Sequence, residues 1–376
     1  MNIPRLLKKE IINKIENSNK AIVLYGPRQV GKTTLIKEII DELSYKTLEI
    51  DAEDERFNDI LSSRNLKKLS GLIGDAELLF IDEAQKIKNI GVNLKLIIDH
   101  LNVKIIATGS SSFDLANTLS EPLTGRKWTY LLYPISYLEL DDIHTKFELN
   151  DQLEERLTWG SYPDIFGFNN YKDKKQYLTE LSSDYLYKDM LQMTGIKNSN
   201  KIRKLLQLLA HQIGSTVSLS ELGDNLDMDK KTVAHYIDLL EKFFVVFRLR
   251  GFSRNLRKEI TKNDKIYFYD LGIRNILIDN LNDLETRNDV GKLWENFLMI
   301  ERKKRNEYLI DVPSSYFWRT YTGAEIDYIE EDRGKLKGFE FKYGNKKIKA
   351  PKTWLETYKN SEFEVINSEN YLEFIT

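Results

Sequence analysis

The run Gly26-Pro27-Arg28-Gln29-Val30-Gly31-Lys32-Thr33-Thr34 fits the pattern G-x-x-x-x-G-K-[ST]. Its glycines let backbone N–H groups wrap an anion, while the lysine and the next hydroxyl supply a point charge and a metal ligand. The run follows the apolar stretch Ala21–Tyr25 and opens a helical stretch at Lys32, so the loop meets a helix N-terminus that favours negative charge. The expected ligand is ATP with Mg2+. Lys32 would face the β- and γ-phosphates, Thr33 the metal, and Arg28 the γ-phosphate.

A second run, Leu78-Leu79-Phe80-Ile81-Asp82-Glu83, is an apolar strand ending in carboxylates. That spacing places Asp82 beside the Mg2+ shell, and Glu83 where a general base polarises the attacking water. The apolar run Lys104–Gly109 ends in Ser110-Ser111-Ser112. A hydroxyl here, Ser110 first, orients the water or senses the γ-phosphate; capping a turn is the competing use. Arg126, in Thr124-Gly125-Arg126, is a candidate arginine finger acting in cis or from a neighbouring subunit of a homo-oligomer, with a surface arginine as the alternative.

A different chemistry is suggested near the C-terminus by Asp327 and by Glu340-Phe341-Lys342. Strand residues at i and i+2 share a face, so Glu340 and Lys342 project together. Glu331–Gly334 can turn a hairpin that brings Asp327 beside them, and Glu295 in a preceding helix can add a third acid. Two carboxylates can hold Mg2+ while a lysine orients a water near a scissile phosphate. Ordinary alternating charge on a surface hairpin is the competing reading.

Between these motifs, Ser218–Glu241 has a helix-turn-helix rhythm. Ser218 with Glu221 matches a capping box and Asp229 can cap the second helix. Val233, Ile237 and Leu240 are expected to face the core, leaving Lys230, Lys231, Thr232, His235 and Tyr236 as groove contacts for DNA. The run FFVVFRLRGF with the basic loop Arg254–Lys258 would form a wing. A protein-interaction module is an equally open use of such a domain.

The elements that must position these residues follow an ordered pattern. Alternating short apolar runs and helical stretches over the first third predict an α/β fold with a parallel sheet, here a P-loop NTPase sheet with an inserted strand. A helical and winged-helix region follows, then an α-β-β-β-α order suited to a restriction-endonuclease-like α/β domain. The expected boundaries are 1–145 for the ATPase domain, 146–196 for a helical connector, 197–270 for the winged helix and 271–376 for the nuclease-like domain.

Composition narrows the options. The 376 residues carry 56 Lys+Arg against 58 Asp+Glu and no cysteine, which excludes disulfides, thiolate zinc sites and cysteine nucleophiles. A cysteine-free chain fits a reducing cytoplasm. The four histidines show no ligand spacing and no G-x-S-x-G is present, so zinc and esterase chemistry are not expected. The apolar runs are strand-sized and the N-terminus alternates charge with apolar residues, predicting neither a membrane span nor a signal peptide.

GPRQVGKTT, LLFIDEAQKI, ATGSSS, LTGRKWTYLLYPIS, WGSYPDIF, KTVAHYIDLLEKFFVVFRL, KIYFYDLGIRN, WENFL, WRTYTGAEIDY and FEFKYG together span nearly the full chain. In them the chain resembles a widespread prokaryotic family, archaeal and bacterial, of AAA-like P-loop ATPases with a C-terminal domain of unknown function. The resemblance implies an ATPase core, a winged helix and a nuclease-like last domain, with Lys32, Thr33, Asp82 and Glu83 in ATPase roles. It adds that Glu295, Asp327, Glu340 and Lys342 complete the nuclease-like set. Two functions are then expected. One is a Mg2+-dependent ATP-binding and hydrolysing ATPase whose nucleotide state controls a nucleic-acid-binding C-terminal half, with DNA cleavage as an open extension of that role. The other is a nucleotide-dependent switch for a protein partner, its last domain a non-cleaving scaffold.

Overall fold

The computed structural model describes residues 3–110, 122–183, 199–253, 263–321, 323–345 and 348–376. Ser111, Ser112 and the basic loop Arg254–Lys258 lie outside the described residues. The chain forms two compact units, one ending at Pro134 and the other beginning at Ile135, with Lys242–Phe244 grouped with the first.

In the first unit, α1 (Leu7–Asn17) precedes β1 (Ala21–Tyr25), α2 (Lys32–Leu43), β2 (Thr47–Asp51), β3 (Leu78–Asp82), α3 (Ile90–His100), β4 (Lys104–Gly109) and β5 (Lys127–Leu131). The strands form one parallel sheet in the order β2-β3-β4-β1-β5. Parallel strands covered on both faces need unbroken apolar runs, and β1 is buried at every position. The inserted strand is β4, which separates the strand leading into the P-loop from the strand bearing Asp82. Registers Tyr25↔Gly109 and Ile81↔Ala107 bring the C-terminal ends of β1, β3 and β4 to one edge. Ligands of open α/β sheets bind at that edge.

The turn out of β1 requires glycine. A Cβ at Gly26, whose φ is +153°, would lie 2.3 Å from the Leu132 carbonyl oxygen, a backbone atom that cannot give way.

In the second unit, α4 (Ser199–His211), α5 (Leu219–Leu226) and α6 (Lys230–Lys242) lead into β6 (Val246–Gly251) and β7 (Lys265–Phe268). Helix α7 (Val290–Tyr308) precedes β8 (Ser314–Arg319), β9 (Glu325–Asp332), β10 (Lys335–Phe341) and β11 (Ser361–Ile366). The sheet order is β11-β10-β9-β8-β6-β7. Strand β6 pairs antiparallel with β7 and parallel with β8, through Arg250↔Tyr316 and Gly251↔Phe317. The strands expected for the winged helix and those of the last domain therefore belong to one sheet. Its continuity is reinforced just beyond β6, where Phe252 buries against Trp318, Ile326, Ile329, Leu336 and Trp354.

The hairpin expected at Glu331–Gly334 closes on the pair Asp332↔Lys335. Its two turn residues, Arg333 and Gly334, both have positive φ (+48° and +80°), the geometry whose twist matches that of the flanking strands. Among the described residues, no helix is long and apolar enough to cross a membrane.

Candidate functional site

The P-loop joins the end of β1 to the first turn of α2, and its backbone is held from two sides. Gln29 (φ +59°) and Gly31 (φ +91°) bend it. Arg5 donates from Nη1 to the Val30 carbonyl at 2.8 Å and from Nη2 to the Tyr133 carbonyl at 2.6 Å. Lys32 is 6 % exposed and donates to the Gly26 and Pro27 carbonyls, each at 2.9 Å. Burial pulls its pKa down to about 8, opposed by Glu83 and Asp82 and aided by Arg28.

Thr33 Oγ1 donates to Asp82 Oδ2 at 2.7 Å, while the Thr108 hydroxyl of β4 donates to Asp82 Oδ1. The Glu83 backbone N–H lies 3.1 Å from Asp82 Oδ1 and 3.2 Å from Thr108 Oγ1. Glu83 adopts φ +49°, a left-handed conformation costing a non-glycine residue about 1–2 kcal/mol. Such strain persists where the surroundings over-determine it, often at functional sites. Gln85 Nε2 donates to Glu83 Oε2 and, at 3.2 Å, to Ser110 Oγ. The sheet thus unites Lys32, Thr33, Asp82, Glu83 and Ser110. Arg5, Thr108 and Gln85 complete the arrangement without having been singled out from sequence.

Arg126 is placed elsewhere. Its carbonyl accepts from the Ala21 N–H at 2.9 Å, and Lys127 pairs with Ala21, so it stands at the start of β1. The P-loop lies at the other end of that strand, about 16 Å away at about 3.3 Å per residue. Its guanidinium pairs with Asp99 on α3 at 2.7 Å. The chain does not bring Arg126 to its own P-loop.

In the second unit Glu295 and Asp327 come together around a residue not singled out from sequence, and Glu340, paired with Lys342, acts electrostatically on Asp327. Lys265, 2 % exposed, lies 2.7 Å from Glu325 Oε1, 3.2 Å from Glu295 Oε1 and 3.8 Å from Asp327 Oδ1. Tyr267, two residues on and so on the same face of β7, donates to Glu295 Oε1 at 2.6 Å. Asp327 Oδ2 accepts the Phe341 N–H at 2.9 Å, and Lys342 pairs with Glu340 at 2.8 Å. Room for Glu295 depends on Gly214 (φ +69°), whose Cβ would meet Glu295 Oε2 at 2.9 Å.

Burial raises the Glu295 pKa to about 7, with Asp327 adding to the rise and Lys265 and Tyr267 opposing it. Burial and then Asp327 also raise Glu340. Burial works against the Lys265 ammonium, yet Glu295, Asp327 and Glu325 hold its pKa above the usual lysine value.

The two sites differ in their fitness for a metal. Thr33 and Asp82 pair a hydroxyl with a carboxylate at the phosphate loop, the oxygen donor set that suits Mg2+. The C-terminal carboxylates instead surround an ammonium. Among the described residues, no three His, Asp or Glu side chains form a group able to hold a metal ion.

The helix-turn-helix stretch forms as α5 and α6. Ser218 Oγ accepts the Glu221 N–H at 3.3 Å, and Asp229 Oδ1 accepts from Lys231 and Thr232 at 2.9 and 3.0 Å. Val233, Ile237 and Leu240 are buried, while Lys230, Lys231 and His235 are exposed.

Comparison with known proteins divides the chain in the same order. Residues 18–141 match a family described as an AAA domain. Residues 150–284 and 290–372 match the domains of unknown function DUF8612 and DUF4143. An uncharacterized protein of Mycobacterium tuberculosis is 29% identical over 327 residues, covering 85% of this chain and 70% of its own. One from Methanocaldococcus jannaschii is 26% identical over 306 residues, covering 76% of this chain and 67% of its own. A Walker-type ATPase of Pyrococcus abyssi shares the fold, with a TM-score of 0.50 at 16% identity over 72% of this chain and 94% of its own. The N-terminal unit has the fold of a P-loop NTPase and matches the AAA domain over residues 18–141, in a chain whose other matched domains are described as of unknown function.

Proposed function

We propose that this protein is a Mg2+-dependent ATPase whose nucleotide state governs a nucleic-acid-binding C-terminal half, acting in a reducing cytoplasm. The observation that carries the ATPase reading is the Thr33 Oγ1–Asp82 Oδ2 contact at 2.7 Å beside a buried Lys32 and a strained Glu83. Thr33 and Asp82 would hold the Mg2+, which when bound neutralises charge on the β- and γ-phosphates. Lys32 moves its ammonium from the Gly26 and Pro27 carbonyls to the phosphates, and the α2 N-terminus adds its field. Glu83 takes the proton of the attacking water, while Gln85, anchored in turn on Ser110, fixes its carboxylate. Arg126 would serve as a finger only toward a neighbouring copy in a homo-oligomer. ATP turnover by Lys32→Ala and Glu83→Gln variants tests the reading; wild-type rates in both would end it.

Exposed Lys230, Lys231 and His235 on a capped helix support nucleic-acid binding, with Thr232 and Tyr236 beside them. DNA affinity should then fall steeply with salt, because phosphate contacts release counterions. A second reading is favoured by Lys265 among the carboxylates. In it the last domain is a non-cleaving scaffold, and the switch acts on a protein partner. Plasmid incubation with Mg2+ tests the scaffold: nicking abolished by Asp327→Asn would overturn it in favour of a nuclease, and intact plasmid supports it.

A further inference from the structure

Lys265 has no part in the P-loop chemistry, yet it is among the largest fully buried side chains of the protein. Its ammonium bridges carboxylates from two separate elements, Glu295 on α7 and Glu325 and Asp327 on β9. The surrounding carboxylates also have partners of their own. Tyr267 serves Glu295, the Phe341 N–H serves Asp327, Arg319 faces Glu325 at 3.7 Å, and Lys342 serves Glu340.

We infer that Lys265 is the resident cation of this carboxylate cluster, joining α7 to β9 and keeping the cluster closed to divalent metal. A divalent ion needs several oxygens at about 2.0–2.6 Å, and here one oxygen of each of the three carboxylates already faces the ammonium, at 2.7–3.8 Å. An incoming ion would have to break these contacts and then sit beside a positive charge that buried surroundings screen poorly. Loss of the lysine proton offers no way in, because the three carboxylates favour the charged amine. The cluster is therefore held together as a structural salt-bridge knot rather than assembled around a metal.

This inference deepens the scaffold reading above and is independent of ATP hydrolysis. It is tested by calorimetric titration of Mn2+ into the full chain without nucleotide. An Asp82→Asn background removes the carboxylate of the P-loop site. The parent is expected to show no Mn2+ uptake that depends on Asp327. Lys265→Met is expected to gain one site binding about tenfold or more tightly than any in the parent. Adding Asp327→Asn should abolish it.

Mn2+ uptake by the parent that Asp327→Asn weakens would overturn the inference. Where Lys265→Met does not fold, the parent against Asp327→Asn still decides. Equal uptake upholds the inference and unequal uptake overturns it. DNA cleavage is scored separately. Metal uptake at the cluster without cleavage overturns this inference alone, whereas Asp327-dependent cleavage overturns the scaffold reading as well.

Discussion

Thr33 Oγ1 donates a 2.7 Å hydrogen bond to Asp82 Oδ2 across 49 positions of sequence. The two groups sit on a helix and a strand that are fixed independently, so their meeting reports the sheet order rather than local geometry. Thr108, on β4 next to the Asp82 strand, donates to the other oxygen of the same carboxylate. Asp82 is thus aimed before any nucleotide arrives.

Glu83→Gln should lower kcat for ATP hydrolysis by about 10²–10⁴-fold while leaving nucleotide affinity unchanged. Single-turnover hydrolysis measured beside equilibrium binding checks both halves. A large loss of affinity would mean that Glu83 holds the nucleotide rather than the proton.

Gln85→Ala should lower kcat about tenfold with KM unaltered, because the Glu83 carboxylate loses the donor that orients it. Gln85→Glu should be worse, since a carboxylate would face the Glu83 carboxylate. A shift in KM alone would assign Gln85 to binding.

Lys32 sets a pH dependence of affinity. Burial pulls its pKa to about 8, so in the free protein it is charged below that pH and neutral above it. Bound phosphates favour the charged form, and binding above pH 8 must therefore take up a proton. ATP should bind about tenfold more weakly at pH 9 than at pH 7. Fluorescent-nucleotide titrations across that range would show the inflection; a flat profile would contradict it.

Glu295 works in the other direction, on stability. Its folded-state pKa, about 7, exceeds that of an unfolded glutamate, so the folded state binds the extra proton between the two values. That contribution is complete below about pH 4.3 and is lost as pH rises through 7, on the order of 1–3 kcal/mol. Melting curves at pH 5.5 and 8 should differ accordingly for the parent, and the difference should shrink in Glu295→Gln.

Arg126→Ala should slow hydrolysis only where copies of the chain associate. Mixing it with Glu83→Gln should then restore part of the rate, each variant supplying what the other lacks. Wild-type activity in Arg126→Ala would leave the residue as the surface partner of Asp99.

The P-loop, the Asp82-Glu83 strand end and the hairpin at Glu331–Gly334 were legible because each is a local pattern with one structural solution. Lys265 was not. It opens the short run Lys265-Ile266-Tyr267-Phe268, where a first-position lysine ordinarily reads as the wet end of a strand. Its burial depends on acids 30 or more positions away. Gln85 and Thr108 were hidden for another reason: neutral side chains stand out only through the charged groups they touch. Arg126 illustrates direction. A residue preceding a strand of a parallel sheet lies at the edge away from the phosphates, and its loop position alone conceals this.

Because β6 lies between β7 and β8 in one sheet, the second unit has no clean seam at residue 270. A fragment beginning there would strip β8 of its neighbour and leave a bare row of amide and carbonyl groups, an invitation to aggregate. Anyone dissecting this protein for expression should cut near Ile135, where the second unit begins, and any shuffling of its parts between genes would have to carry both halves of that sheet together.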